Sequence, residues 1–198
     1  MRLPKTAHTS RPWRIHAIAH DFRLEDVWAL PTPGSHGDWP RLVALFSGAG
    51  PAQEPFVTSP LARALFAIRW KLGALFGWDK PDAGLGARVP TLRDRLPDDL
   101  RQDLSSSRNP RFTTVYETEG EWAAEIANRT MHGVLHLGWV PDGSGGYRGQ
   151  MAVLVKPNGP FGHLYMAAIK PFRYLGVYDN LLRTIGNRWQ ATAPAPKP

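Results

Sequence analysis

This 198-residue chain predicts an α+β fold: a curved antiparallel sheet packed on a long C-terminal helix. Three patterns carry that expectation. Phe112–Thr118, Glu121–Asn128, Met131–Val140 and Tyr147–Lys156 are sequential strand-like segments separated by turn residues, which reads as an antiparallel meander. Leu175, Tyr178, Leu182, Ile185 and Trp189 recur at steps of three, four, three and four, the spacing of one helix face. Phe22, Leu24, Trp28 and Leu30 alternate along one further strand, with Asp26 on the same apolar face.

In chain order, residues 1–12 read as a flexible N-terminal arm, 13–190 as a single domain and 191–198 as a disordered Pro-rich tail. Pro31–Gly37 is a loop. Asp38 can cap a short helix with Pro40 in its first turn and Leu42, Val43, Leu45 and Phe46 buried. Ser59-Pro60 opens a second helix, whose stripe is Leu61, Leu65, Ile68, Leu72 and Leu75 and whose end is Gly77. A short helix is expected near Asp98–Leu104 and another over Phe161–Ile169.

Composition narrows the function classes. There is no cysteine, which removes disulfides, thiolate catalysis and thiolate metal sites. Lysine and arginine number 24 against 17 acids, a formal charge of +7, but the cations are scattered. No basic run, helix-turn-helix pattern or aromatic RNA-binding motif supports a specific nucleic-acid contact. An anionic small ligand would suit the balance. The most apolar stretch, Leu61–Phe76, contains Arg63, Arg69 and Lys71 and is too short to span a bilayer. With no signal-peptide-like apolar run at the N-terminus, a cytoplasmic protein without a transmembrane segment is expected. Oligomeric state is open.

The stretch EWAAEIANRTMHGVLH, residues 121–136, is where chemistry concentrates. A two-residue turn at Asn128-Arg129 would set Glu125 opposite His132 and Glu121 opposite His136. Side chains alternate faces along a strand, so one face would carry Glu121, Glu125, His132 and His136. A carboxylate beside an imidazole fixes its tautomer and suits a general base. Glu125, His132 and His136 are therefore the catalytic candidates. The competing reading is a pair of ion pairs on a solvated face. HGVLH lacks the glutamate of a helical zinc motif, and on a strand its histidines stand about 13 Å apart. No metal and no cofactor are expected.

The opposite face is the pocket candidate. Trp28, Trp122, Met131, Leu135, Trp139, Tyr147 and Met151 could line a cavity closed by Leu175, Tyr178 and Leu182, with Asp26, Tyr147 and Tyr178 as polar contacts. Gly133, Gly138 and Gly149 remove side-chain bulk from the sheet, leaving either a hollow or a bend. A filled core is the alternative.

Three segments, DFRLEDVWALP (21–31), EWAAEIANRTMHGVLHLGWVP (121–141) and MAVLVKPNGPFGHLYMAAIKPFRYLGVY (151–178), resemble domain-of-unknown-function family 2867 over roughly residues 10–190. One departure is Arg173, where histidine is expected in relatives. The resemblance implies grouping with START-like proteins, the Bet v 1 or SRPBCC superfamily, hence a helix-grip fold with a cavity between sheet and last helix. It also implies a bacterial source. Relatives in that superfamily bind lipids, sterols and polyketides, and some cyclise or hydrolyse. The expected function is binding of a hydrophobic or aromatic small molecule. The alternatives are a cyclase- or hydrolase-type enzyme using a Glu–His pair and a non-catalytic protein-interaction module.

Overall fold

The computed structural model describes residues 1–48, 85–86, 89–101, 112–160, 162–163 and 178–193. The helix expected from Ser59-Pro60, most of that over Phe161–Ile169, Leu175, Arg173 and the tail beyond residue 193 lie outside the described residues.

Six strands form one antiparallel sheet: β1 (Arg2–Leu3), β2 (Arg23–Ala29), β3 (Thr113–Glu117), β4 (Glu121–Ala127), β5 (Met131–Pro141) and β6 (Tyr147–Pro157). Their spatial order is β1-β2-β6-β5-β4-β3, so the first long strand pairs with the last and the rest is a meander. Helices among the described residues include α1 (Thr6–Thr9), α2 (Ile15–Ile18), α3 (Trp39–Ser47) and α4 (Tyr178–Ala191). Helix α3 has Pro40 in its first turn. The Asp38 carboxylate turns back to the Ser35 amide and hydroxyl at 2.8 and 2.9 Å instead of capping α3 itself. Of the helix expected near Asp98–Leu104, the described part is a 3-10 turn, Asp98–Leu100, and residues 102–104 lie outside the described residues.

Both faces of the sheet are covered. On the first, Leu42, Val43 and Phe46 of α3 and Leu182, Ile185 and Trp189 of α4 share a core with Trp28, Leu137, Trp139 and Met151. On the second, Ile15, Ile18, Leu92, Leu96 and Leu100 pack on Val27, Ala123, Val134 and Leu154. Glu121, Glu125, His132 and His136 belong to this second face and are all buried. The expectation of a solvated charged face is thus overturned. Alternation places residues on a common face, but it cannot show whether chain distant in sequence returns to cover that face.

That cover includes residues 1–12, expected as a flexible arm. Arg2 and Leu3 pair with Trp28 and Val27, and His8 is fully buried. Gln150 Nε2 donates to the Ala7 carbonyl at 3.2 Å. The segment has no core of its own and is ordered by the sheet it lies on.

Two registers differ from the expected ones. In β2 a bulge between Leu24 and Asp26 flips the alternation. Phe22 and Leu24 join the second face, while Asp26 and Trp28 stay on the first. A bulge adds a residue opposite one partner, so parity inverts across it. In the β4–β5 hairpin the loop is Arg129-Thr130, one residue later than expected, with Ala127 opposite His132 and Ala123 opposite His136. The cause is Asn128, whose Oδ1 accepts from the Thr130 amide (2.8 Å), the Thr130 hydroxyl (2.8 Å) and the Met131 amide (3.1 Å). The register slides by two residues, an even number, so every side chain keeps its face.

The sheet glycines are close approaches, not hollows. A Cβ on Gly138 would lie 2.6 Å from the Trp13 ring, and one on Gly149 would lie 2.9 Å from both Leu30 and Leu42. Gly138→Ala is therefore expected to cost about 1–3 kcal/mol by overpacking. Urea titration should find most of that cost relieved when Trp13 is also Leu. An equal cost in both backgrounds would show that the indole does not require the glycine.

Candidate functional site

Glu121 opens β4 and points at the start of α2. The Arg14 and Ile15 amides donate to its two oxygens at 3.0 Å each, the Tyr116 hydroxyl donates to Oε1, and His136 Nε2 donates to Oε1 at 3.0 Å. Free amides at a helix start favour an anion. Burial alone would raise the Glu121 carboxyl, but the bonds from His136, Tyr116 and Arg14 outweigh it and hold the pKa below the ordinary value. Tyr116 is pushed up by burial and by the charge of Glu121.

Glu125 repeats the device four residues later on β4. Leu92 N donates to Oε2 at 3.0 Å, the Thr91 hydroxyl donates to Oε1, and His132 Nε2 donates to Oε2 at 2.8 Å. Thr91 caps the 3-10 turn Leu92–Arg95, accepting from Arg93 N at 3.2 Å. Each glutamate thus clasps the first turn of a helical segment lying on the second face. The expected pairs, Glu125 with His132 and Glu121 with His136, do form. They form diagonally between neighbouring strands, not between directly opposed positions.

The His136 end continues. His136 Nδ1 meets His8 Nε2 at 3.1 Å, and His8 Nδ1 meets His16 Nε2 at 3.1 Å. A carboxylate only accepts, so His136 donates through Nε2 and, when neutral, accepts at Nδ1. His8 must then donate through Nε2 to His136, and His16 through Nε2 to His8. The direction of every bond follows from Glu121. Burial, then the neighbouring imidazoles His136 and His16, lower the His8 pKa to about 3. Burial also lowers that of His136, against the pull of Glu121. Both are neutral at pH 7. The chain runs from half-buried His16 to a buried carboxylate, a geometry that can pass a proton inward. Each oxygen of Glu121 and Glu125 accepts at least one bond from the protein, so both carboxylates serve the fold as acceptors.

Sequence reading named Glu125, His132 and His136 and paired Glu121 with His136, but missed His8, His16, Tyr116 and Thr91. Three of the seven histidines fall within residues 8–20, a concentration that could have drawn attention to the first segment.

On the first face the pocket candidates divide. Trp139 and Tyr147 are stacked at 6.3 Å, and Trp139 also meets Trp39 and Trp189 at 6.4 and 6.0 Å. The indole N–H groups of Trp39, Trp139 and Trp189 donate to the carbonyls of Thr118, Ser35 and Pro33 at 2.7, 3.1 and 2.9 Å. That end is packed core. Trp28 and Trp122 differ, because both indole N–H groups are buried without a hydrogen-bond partner. Pairing puts Trp28, Met151, Leu137 and Trp122 in one row across four strands. The next row is Asp26, Val153, Leu135 and Ala124, and its two central side chains are only half-buried, as is Met131 beyond them. Tyr178 of α4 stacks on Trp28 at 4.5 Å and donates its hydroxyl to Asp26 at 3.3 Å.

A model of the family described as Protein of unknown function (DUF2867) matches residues 18–180. No curated protein and no solved structure matches the chain. No helix among the described residues is long and apolar enough to cross a membrane.

Proposed function

Because this chain belongs to domain-of-unknown-function family 2867, we propose its function from geometry: it binds a hydrophobic or aromatic small molecule on the α4 side of the sheet. The observation that carries this reading is the pair of unpartnered indoles of Trp28 and Trp122 at the two ends of one row. A buried donor left unpaired costs about 1–3 kcal/mol, and other tryptophans of the same core have acceptors. A ligand with oxygen acceptors would satisfy the two donors while its apolar body covers half-buried Leu135 and Val153. Burial of that body would contribute about 25 cal/mol per Å². The Asp26–Tyr178 pair supplies a second polar contact at one edge.

The same reading includes the finer fold assignment, a helix grip of START-like type. The pairing of β2 with the last strand, the meander and the apolar stripe of α4 against the first face support it. The cover on the second face is an addition to that plan.

Leu135→Trp fills the floor between the two tryptophans without touching the Glu–His clasps. Uptake of the neutral fluorophore N-phenyl-1-naphthylamine should fall by about tenfold in this variant, equivalent to about 1.4 kcal/mol. The Trp28 and Trp122 indole N–H signals of the parent should shift when the probe is added. Equal uptake by a folded Leu135→Trp variant, or unmoved indole signals, would remove the proposal.

A further inference from the structure

We propose that the cleft between the N-terminal segment and the β5–β6 hairpin binds a small organic anion that also carries a hydroxyl group. The cleft, about 510 Å³, lies on the second face and is independent of the floor beneath α4. Arg11 and Ser10 line it from one side, Arg148 and Gln150 from the other, with Leu3 and Val140 between; no acid is among its lining residues.

Two arginines line this cleft with no acid beside them. Arg14, Arg95 and Arg101 sit within 2.6, 2.6 and 3.5 Å of Asp99, Asp21 and Asp98. Among the described residues, Arg11 and Arg148 have no carboxylate within salt-bridge distance. Arg148 Nε is buried with no acceptor. Gln150, only 3% exposed, spends its Nε2 on the Ala7 carbonyl and leaves Oε1 buried without a donor. Buried polar groups are normally paired, and orphans at one cleft point to an absent partner.

The chemistry of that partner follows from what is missing. Guanidinium donors call for an oxyanion, a carboxylate or a phosphate. An amide oxygen only accepts, so Gln150 calls for an O–H or N–H. Arg148 and Gln150 are two residues apart on β6, facing the same way about 7 Å apart. That matches an anionic head and a hydroxyl separated by a few bonds, on a carbon chain short enough for Leu3 and Val140 to cover. The β6 side lies inside the matched family region and the Arg11 side outside it, so the site requires the N-terminal segment to be seated.

The test is isothermal titration of the full chain with D-glycerate and glycerol 3-phosphate, against propionate and glycerol. The first two should bind saturably, distinguishing carboxylate from phosphate by their relative affinity, and glycerate should exceed propionate by about tenfold. Arg148→Met should weaken glycerate by about tenfold or more, as should Arg148→Lys, which keeps the charge but lacks Nε. Gln150→Met should erase the preference for glycerate over propionate. Leu135→Trp should leave this binding intact, so the two sites fail or stand separately. No saturable heat with any probe at about 10 mM, or an unchanged affinity in a folded Arg148→Met variant, would overturn the proposal. Propionate binding as tightly as glycerate would overturn the role of Gln150.

Discussion

Glu121→Leu is expected to lower the free energy of unfolding by about 3–5 kcal/mol in a urea titration. The substitution removes an acceptor, not a contact. It leaves the Ile15 amide, the Tyr116 hydroxyl and the His136 Nε2 proton buried, and the Arg14 amide partly buried, without the acceptor that receives them. Each orphaned donor carries its own desolvation cost, and the four are close enough to fail together. Against a total stability of about 5–15 kcal/mol for a natural domain, a loss of this size can unseat α2 and the segment before it. Tyr116→Phe provides the comparison, since it removes one donor with its partner's other bonds intact and should cost about 1 kcal/mol. If Glu121→Leu costs no more than Tyr116→Phe, the clasp is not what holds the second layer.

Stability is expected to fall steeply with acid, beginning just below pH 6.5. His8 takes a proton near pH 6.5 when unfolded but only near 3 when folded. Between those values the unfolded chain binds more protons, so falling pH favours unfolding by about 1.4 kcal/mol per pH unit for each such imidazole. His136, lowered by the same burial, adds in the same direction. Glu121 reinforces both: its folded pKa lies below the ordinary value, so its contribution is present at neutral pH and is lost as pH falls through that folded value. Urea midpoints from pH 8 to 4.5 should be flat above 7 and then decline with a slope of about one proton from His8, increased by His136. His8→Gln removes one titrating group and should reduce that slope by about one proton. A parent whose midpoint is constant from pH 8 to 5, or a variant with the parent's slope, would refute neutral burial of the relay.

These two expectations rest on different kinds of information in the chain. That Glu121, Glu125, His132 and His136 share a face was legible, because strand alternation is a local property and survives a register slide of two residues. The meander and the α4 stripe were legible for the same reason. The bulge at Leu24–Asp26 was not, since nothing in an apolar alternation marks where an extra residue enters. Nor was the turn at Arg129-Thr130, which depends on one Asn128 side chain gathering three donors.

What the order of residues determined alone is the periodic part: the strands of the meander and the stripe of α4, which side chains lie together, and that acids and imidazoles would meet on one side of a hairpin. What tertiary structure decided is whether that side meets water. His8, His16, Leu92 and Thr91 arrive there from positions tens of residues away. Proximity across such distances comes from chain topology, which period and propensity do not encode. A face that reads as solvated therefore became a second core, and its carboxylates became the clasps of two helical turns.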